Sequence, residues 1–413
     1  LGKGGIYEKA VVILLLILVA AFSFAQKLEL YYYKQENQEG LEKLVDTFVR
    51  QNPGISIDLL IIPNDADATM AARAAMGKLS EILQMQSYSR VFEYAENGYV
   101  LDLSKEPVMS KVIDSAKPAV TWNGKQWALP MDFAGIGIIY NKDMFRRYGL
   151  SAPGTYRDLQ RITRTLKANG VTPYAGLLKE NWSIGHFITL VHTNLLAAKG
   201  ISVGQFIADM NAGRTSYGVV DTNLLFATID QYAANMDSNA AEMNWNEQQA
   251  SFAGGKSPMM VQGLWSYGAA IATNPDLDAG FVPFPMFNDP KMVKFYADVD
   301  SCFGISAQAT PDKQAAAKKF LSWLSTPGAV KIWTTDYKLT VSFKGADLSS
   351  MKPPFVELMT TVGTQGAYRW AFSMYPTAVF EDAVKNGAQA YAFKKKTAEA
   401  VIADIDRQWR EAR

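Results

Sequence analysis

WNGKQWALPMDFAGIGIIYNKDMFRRYGLSAPGTYRDLQRITRTLKANGVTPYAGL, residues 122–177, is the stretch whose reading decides the fold. It opens on Trp122-Asn123-Gly124-Lys125, a tight turn, because Asn-Gly is the strongest short hairpin signal. Residues 126–129 follow as a strand that Pro130 ends. The run 134–140 is apolar, carries two glycines and reads as a buried strand. A short helix at 143–148 closes at Gly149. Thr155 then caps a helix that runs to 168 and stops at Asn169-Gly170. The stretch is thus a turn, a strand, a Pro-interrupted crossing, a second strand and helices. It holds no nucleophile–base pair, no phosphate loop and no metal cluster.

Working outward, residues 27–33 and 55–62 are β-branched and aromatic runs expected to be strands. Between them Leu41, Leu44, Val45 and Phe48 recur at helical spacing until Asn52-Pro53-Gly54 breaks the helix. Helix 66–78, strand 82–85 and helix 91–99 continue the alternation, which implies an α/β layer with mostly parallel strands. Residues 182–270 are rich in helix, 281–285 are extended and pinned by proline, and 303–306 form a strand. Residues 313–324 are amphipathic, and 377–401 carry a further helical pattern. The loops are short and no internal repeat occurs, so two bodies that exchange the chain more than once are expected.

A length of 413 residues is long for one core and makes two domains the default. Lys+Arg 41 against Asp+Glu 40 leaves a net charge of +1, which gives no electrostatic case for nucleic acid or an anionic membrane. Lys3 and Lys9 flank the start of an apolar run at 10–22, followed by Ser23-Phe24-Ala25. The run is short of the roughly 20 residues a span needs. It reads as a signal peptide over 1–25 with the mature chain from Gln26, an uncleaved anchor being the alternative. No cysteine follows it, so a lipoprotein anchor is not expected, and a periplasmic or secreted location is. Cys302 is the single cysteine and cannot form an intramolecular disulfide.

Five segments together resemble the extracellular solute-binding proteins of ABC sugar importers, relatives of the maltose- and glycerol-phosphate-binding proteins. They are FVRQNPGISIDL (48–59), AENGYVLDLS (95–104), the crossing at 122–150, FAGGKSPMMVQGLWSYGA (252–269) and AAAKKFLSWLSTP (315–327). They stand in the family's order and span nearly the whole mature chain. One departure is Ser80-Glu81-Ile82, where the family often has Pro-Asp before the strand. The resemblance implies a type II periplasmic binding fold, α/β in class, with two lobes joined by hinge strands around a ligand cleft. Lobe one is expected at 27–133 plus 286–338 and lobe two at 134–285 plus 339–413, with crossings near 131–133, 282–284 and 337–341. It also implies a monomer that captures a sugar or oligosaccharide by closing on it and delivers it to a membrane permease, without cofactor or metal.

Sugar recognition needs flat aromatic faces for C–H patches and charged or amide groups for hydroxyls. The resemblance places Trp265, in the G-x-W motif, at the cleft, and a further stacking aromatic at Trp370, beside Arg369. Trp182 starts a helix after a polar KEN segment. Asp132 lies directly after Leu129-Pro130 at the first crossing, and Asp298 and Asp300 sit in ADVDSCFGIS just before a buried strand, Asp300 being preferred. Strand carboxyl ends carry ligand sites in α/β sheets, which adds Tyr33, Lys34 and Glu36, then Asp65 and Asp67, then Gln84 and Ser87. Against each stands the plainer reading of a packed tryptophan or a solvated loop residue.

Other chemistries fit poorly. His186 and His192, the two histidines, are six residues apart and face different sides of a helix, which does not suit a shared zinc. AGGKSPM lacks the earlier glycine of a phosphate loop, and 133–139 lacks the third glycine of a dinucleotide loop. Lys394-Lys395-Lys396 reads as a solvated helix face. A secreted glycan-processing enzyme, which needs two positioned carboxylates, and a binding protein that feeds a sensor or chemoreceptor remain the alternatives.

Overall fold

The computed structural model describes residues 26–34, 38–62, 66–336 and 339–413, with the backbone alone for 66–68. The expected signal segment, Glu36 and Asp65 lie outside the described residues, as does the side chain of Asp67. Twelve strands are described: β1 Gln26–Tyr32, β2 Ile55–Ile61, β3 Ile82–Gln86, β4 Thr121–Trp122, β5 Lys125–Gln126, β6 Leu129–Pro130, β7 Phe133–Asn141, β8 Met259–Gly263, β9 Ala279–Val282, β10 Phe295–Val299, β11 Ser301–Ile305 and β12 Ala367–Tyr368.

They build two five-stranded sheets and one hairpin. The first sheet runs β2-β1-β3-β11-β6. Its β1, β2 and β3 are parallel, and the antiparallel β11 enters between β3 and β6. The parallel part follows from the alternation of strands with helices Gln38–Gln51 and Ala66–Ala75, since parallel neighbours need a crossover. Helix Gln38–Gln51 turns Leu41, Leu44, Val45 and Phe48 into the core, the face its spacing predicts. The second sheet runs β12-β10-β7-β8, with β9 also on β7. All three partners of β7 are antiparallel to it. Here long excursions replace βαβ units: residues 142–258 bring the chain back to lie as β8 against β7.

The hairpin β4-β5 turns on Asn123 and Gly124, at φ 49° and 74°. Both are left-handed, the conformation that Asn-Gly adopts at least cost. Helix Tyr156–Ala168 begins at Thr155, whose hydroxyl accepts from the Asp158 N–H, as its sequence predicts. Helix Asn181–Ala198 is buried over nearly its whole length and forms the spine of the helical layer on the second sheet.

The chain changes sheets at Met131-Asp132, between β6 and β7, where the first crossing is expected. It changes back at Asp300, between β10 and β11, whereas β9 and β10 both lie on β7. The return therefore falls later than the expected 282–284. Residues 342–344 still pair with 111–113 beside the first sheet, through Ile113 N–H to Ser342 O (2.9 Å) and Lys344 N–H to Lys111 O (2.7 Å). Helix Pro353–Gln365 then packs on β9 and β10. The three passages are stitched together. Met131 N–H donates to Ser301 O (2.9 Å), Asp300 N–H to Asp132 O (3.1 Å) and Ser342 N–H to Met131 O (2.7 Å).

Candidate functional site

A cleft with about 490 Å³ of room for water opens where the two sheets meet. The two sides contribute different chemistry. From the first sheet come Tyr33 and Lys34, just past β1, and Gln86, which ends β3. From the second come four tryptophans, Trp182, Trp245, Trp265 and Trp370, with Phe372 and His186. Asn244, Asn246, Glu180 and Lys385 add polar groups on that side, and Asp300 lies at the crossing itself.

The charged floor is built around Lys34. Its side chain is 4% exposed, and its Nζ donates to Asp132 Oδ2 (3.1 Å) and Asp300 Oδ2 (2.6 Å). Asp132 also accepts from Ser301 N–H (2.6 Å) and Ser301 Oγ (2.7 Å) through Oδ1. A buried lysine is tolerable when carboxylates surround it, and these carboxylates belong to both crossings. Asp132 is fully buried and so lies beneath the cleft, not in its wall. Its expected part as a ligand contact does not fit this placement, because its oxygens are occupied from inside.

Asp298 is likewise turned inward. Its Oδ2 accepts from Tyr88 Oη (2.9 Å), which accepts in turn from Arg369 Nη1 (2.6 Å). Burial pushes the Asp298 carboxyl above its ordinary value, while the nearby Arg369 opposes that shift. Tyr88 follows β3 and holds φ 58°, a conformation few non-glycine residues adopt. It thereby carries its hydroxyl across to Asp298 of β10. Ser87 donates to Val299 O (2.7 Å), and Gln84 accepts from Tyr33 N–H (3.2 Å); both are buried framework residues, not wall residues. Of the expected residues, the structure brings Tyr33, Lys34, Trp182, Trp265, Trp370 and Asp300 together in one cleft. It leaves Gln84, Ser87, Asp132, Asp298 and Arg369 outside the lining.

The aromatic wall is layered. Trp265 opens helix Trp265–Thr273 directly after β8, and its ring lies over Gly263, where any Cβ would collide with the indole. Trp370 stands edge-on behind it (6.1 Å, 87°), anchored by its Nε1–H to Tyr296 O (2.7 Å), and only 1% exposed. It reaches the cleft by an edge and mainly supports Trp265. His186 sits among Trp182 (5.7 Å), Trp265 (5.9 Å) and Phe372 (4.5 Å). Burial, helped by Lys385, lowers its pKa to about 3, so the ring is neutral there. Lys385 closes a π-helical turn, Val379–Lys385, that packs on Gly185; a Cβ at 185 would meet Lys385 Cγ at 2.7 Å. Lys385 is paired with Glu381 (2.6 Å).

Glu180, Trp245, Asn244, Gln86 and Lys385 are not singled out by the sequence, whereas His186, close to Trp182 in the chain, has a cleft position as one of its readings beside that of an ordinary packed or surface histidine. One signal was present. Asn244 and Glu247 form a complete capping box, which marks 245 as a helix start and hence a place where a side chain is presented at an element's end. Among the described residues no group of three His, Cys, Asp or Glu could hold a metal ion, and no single helix is long and apolar enough to cross a membrane.

The profile of the bacterial extracellular solute-binding proteins matches residues 34–331. The chain belongs to that family. The Multiple sugar-binding protein of Streptococcus mutans is 23% identical over 339 residues, covering 81% of this chain and 80% of that protein. The Diacetylchitobiose binding protein DasA of Streptomyces coelicolor is 26% identical over 266 residues, covering 59% and 58%. Among solved structures, a chitin oligosaccharide binding protein superposes with a TM-score of 0.82 at 18% identity, over 93% of this chain and 98% of that one. A sugar transporter protein of Bacillus licheniformis in complex with stachyose gives 0.78 at 17% identity, over 94% and 100%. These likenesses establish the type II periplasmic fold of two α/β lobes. The family is one of binding proteins, and its name places it outside the cytoplasmic membrane.

Proposed function

We propose that this solute-binding protein captures a neutral sugar or oligosaccharide between its lobes and hands it to the membrane permease of an ABC importer. The observation that carries the reading is the cleft itself, an aromatic wall on one side facing polar groups on the other. Tryptophan faces suit the C–H patches of sugar rings, and each such contact adds about 0.5–1.5 kcal/mol beyond its area. Both ammonium groups of the lining are paired with carboxylates: Lys34 with Asp132 and Asp300, Lys385 with Glu381. An anionic ligand would have to break one of these pairs, which favours a ligand without negative charge. Glu180 and Asp300 already accept from N–H donors of the chain, so neither stands ready as the acid of a glycosidase.

The named ligands of relatives, raffinose and stachyose among them, define the panel to try. Sheet membership supports lobes of 26–131 with 301–344 and of 133–299 with 353–413. A monomer that closes on its ligand is the mechanism, the ligand shifting the population towards the closed form by its greater affinity for it. The segment 1–25 is the export signal in this reading.

Thermal-shift titration with raffinose, stachyose, maltotriose and diacetylchitobiose tests it. A saccharide at 100 times its Kd should stabilise the fold by about 2.7 kcal/mol. No response to any saccharide, with a response to peptides or metal ions, would sink the proposal. Release of reducing ends from the same sugars would favour the enzyme instead.

A further inference from the structure

Glu180 occupies the N-cap of helix Asn181–Ala198, yet its side chain does not cap that helix. Thr155, Ser202, Asp221, Asn244 and Thr397, at the same position of other helices, all do. Its carboxylate goes elsewhere. Oε2 accepts from the indole Nε1–H of Trp182 at 2.7 Å, and Oε1 accepts from the backbone N–H of Trp245 at 2.7 Å. Trp245 is the first residue of helix Trp245–Ala253, where a negative charge is favoured by the helix dipole. Glu180 thus holds the Trp245 backbone, and the Trp245 indole is held by Ser266, next to Trp265, its Nε1–H donating to Ser266 Oγ at 3.3 Å. One carboxylate therefore ties two tryptophans that come from distant parts of the chain, and all three residues line the cleft.

We infer that Glu180 is a positioning residue: it fixes Trp182 and Trp245 at a set spacing, so that they form a preorganised aromatic pair on which a saccharide stacks. Trp245 is thereby a ligand-contacting residue alongside Trp265. Aspartate or asparagine, the usual N-cap residues, would be too short to reach both donors, which accounts for a glutamate at this place. Rings held before binding cost the complex less ordering entropy than rings that must be immobilised by the ligand. The consequence for affinity rests on the sugar-binding reading; the clamp itself does not.

The decisive variant is Glu180→Gln, which keeps the volume but replaces one acceptor by an amide that faces a donor. Selective [15N]tryptophan labelling of the full chain gives one indole signal for each of its nine tryptophans and their backbone amides, and Trp182→Phe assigns the first of the pair. Without ligand, E180Q should move either the Trp182 indole or the Trp245 amide signal, and Glu180→Ala should move both. Raffinose, or whichever sugar of the panel binds, should bind E180Q about tenfold more weakly, about 1.4 kcal/mol. W182F should weaken it too, and the double variant should lose less than the sum of the singles. Wild-type signals and wild-type affinity in E180Q would show that only packing volume matters and overturn the assignment. Additive losses in the double variant would do the same. If no saccharide binds the unaltered protein, the sugar reading fails, and the clamp is judged on the ligand-free signals alone.

Discussion

Replacing Gly263 by alanine isolates the role of Trp265 without touching it. Gly263 ends β8, and the indole of Trp265 lies across its Cα. An alanine Cβ would fall well inside contact with Cζ3, Cη2 and Cε3 of that ring. Carbon atoms sit comfortably at about 3.5–4.0 Å, so the ring has to retreat by roughly 1.5 Å. Behind it stand Trp370 and, to one side, His186, at 6.1 and 5.9 Å between ring centres. Both are packed, and the direction left is into the cleft. Overpacking of this kind costs about 1–3 kcal/mol, partly offset by about 0.4–1 kcal/mol from the stiffer unfolded chain. A net loss of about 1–2 kcal/mol in stability leaves a folded protein with a displaced platform. Losing one stacked face forfeits about 0.5–1.5 kcal/mol plus the apolar area it covered, so sugar affinity should fall more than tenfold. Titration calorimetry and tryptophan emission read both effects. In a Trp265→Ala background the same glycine substitution should cost no further affinity, because there is no ring to displace. Wild-type affinity and unchanged emission in Gly263→Ala would refute the idea that this indole is the sugar platform.

Three further outcomes are expected. Lys34→Met leaves Asp132 and Asp300 without the ammonium that separates them and should cost about 3–5 kcal/mol, read by urea denaturation; a loss under about 1 kcal/mol would contradict it, and adding Asp300→Asn should recover part. Burial holds the His192 pKa down to about 4, whereas the unfolded chain takes up the proton below about 6.5. Stability should therefore fall as pH drops from about 6.5 towards 4, by up to about 1.4 kcal/mol per pH unit from His192; His186, held down to about 3, adds a like slope, so His192→Gln should roughly halve the total in urea midpoints measured at several pH values, and an unchanged slope would exclude this origin. Tyr88→Phe removes the hydroxyl between Asp298 and Arg369, should cost about 1–3 kcal/mol and should open the lobes in small-angle scattering; an identical profile and midpoint would count against a bridging role.

The sequence made the local elements readable wherever the determinants are local. The Asn123-Gly124 turn, the Thr155 cap and the inward face of helix Gln38–Gln51 follow from residues within a few positions of one another. The alternation of the first three strands with helices, and the parallel sense it implies, was legible for the same reason. The return at Asp300 was not, because β10 and β11 are separated by a single residue yet join different sheets, and periodicity does not record which partner a strand meets. Tryptophans at 182, 265 and 370 could be named since few roles suit so large an amphipathic ring. The carboxylates were harder. Asp132, Asp298 and Asp300 look alike in sequence, yet Lys34 and Tyr88, far away along the chain, decide that two are buried supports and one reaches the cleft. Glu180 and Trp245 escaped notice because their meaning is their meeting.

The insertion of β11 between β3 and β6 has a consequence for how the chain is made. Strand β3 ends at Gln86, yet its neighbour across the sheet begins at Ser301. Until the ribosome has delivered residue 305, the N-terminal sheet has a bare edge at β3 and β6 has nothing to pair with. Long-range pairings of this kind close slowly, since the loop entropy falls due before the contacts that offset it. The nascent protein should therefore stay loosely folded and open to chaperones for most of its synthesis, and its two halves should reach their final form together rather than one after the other.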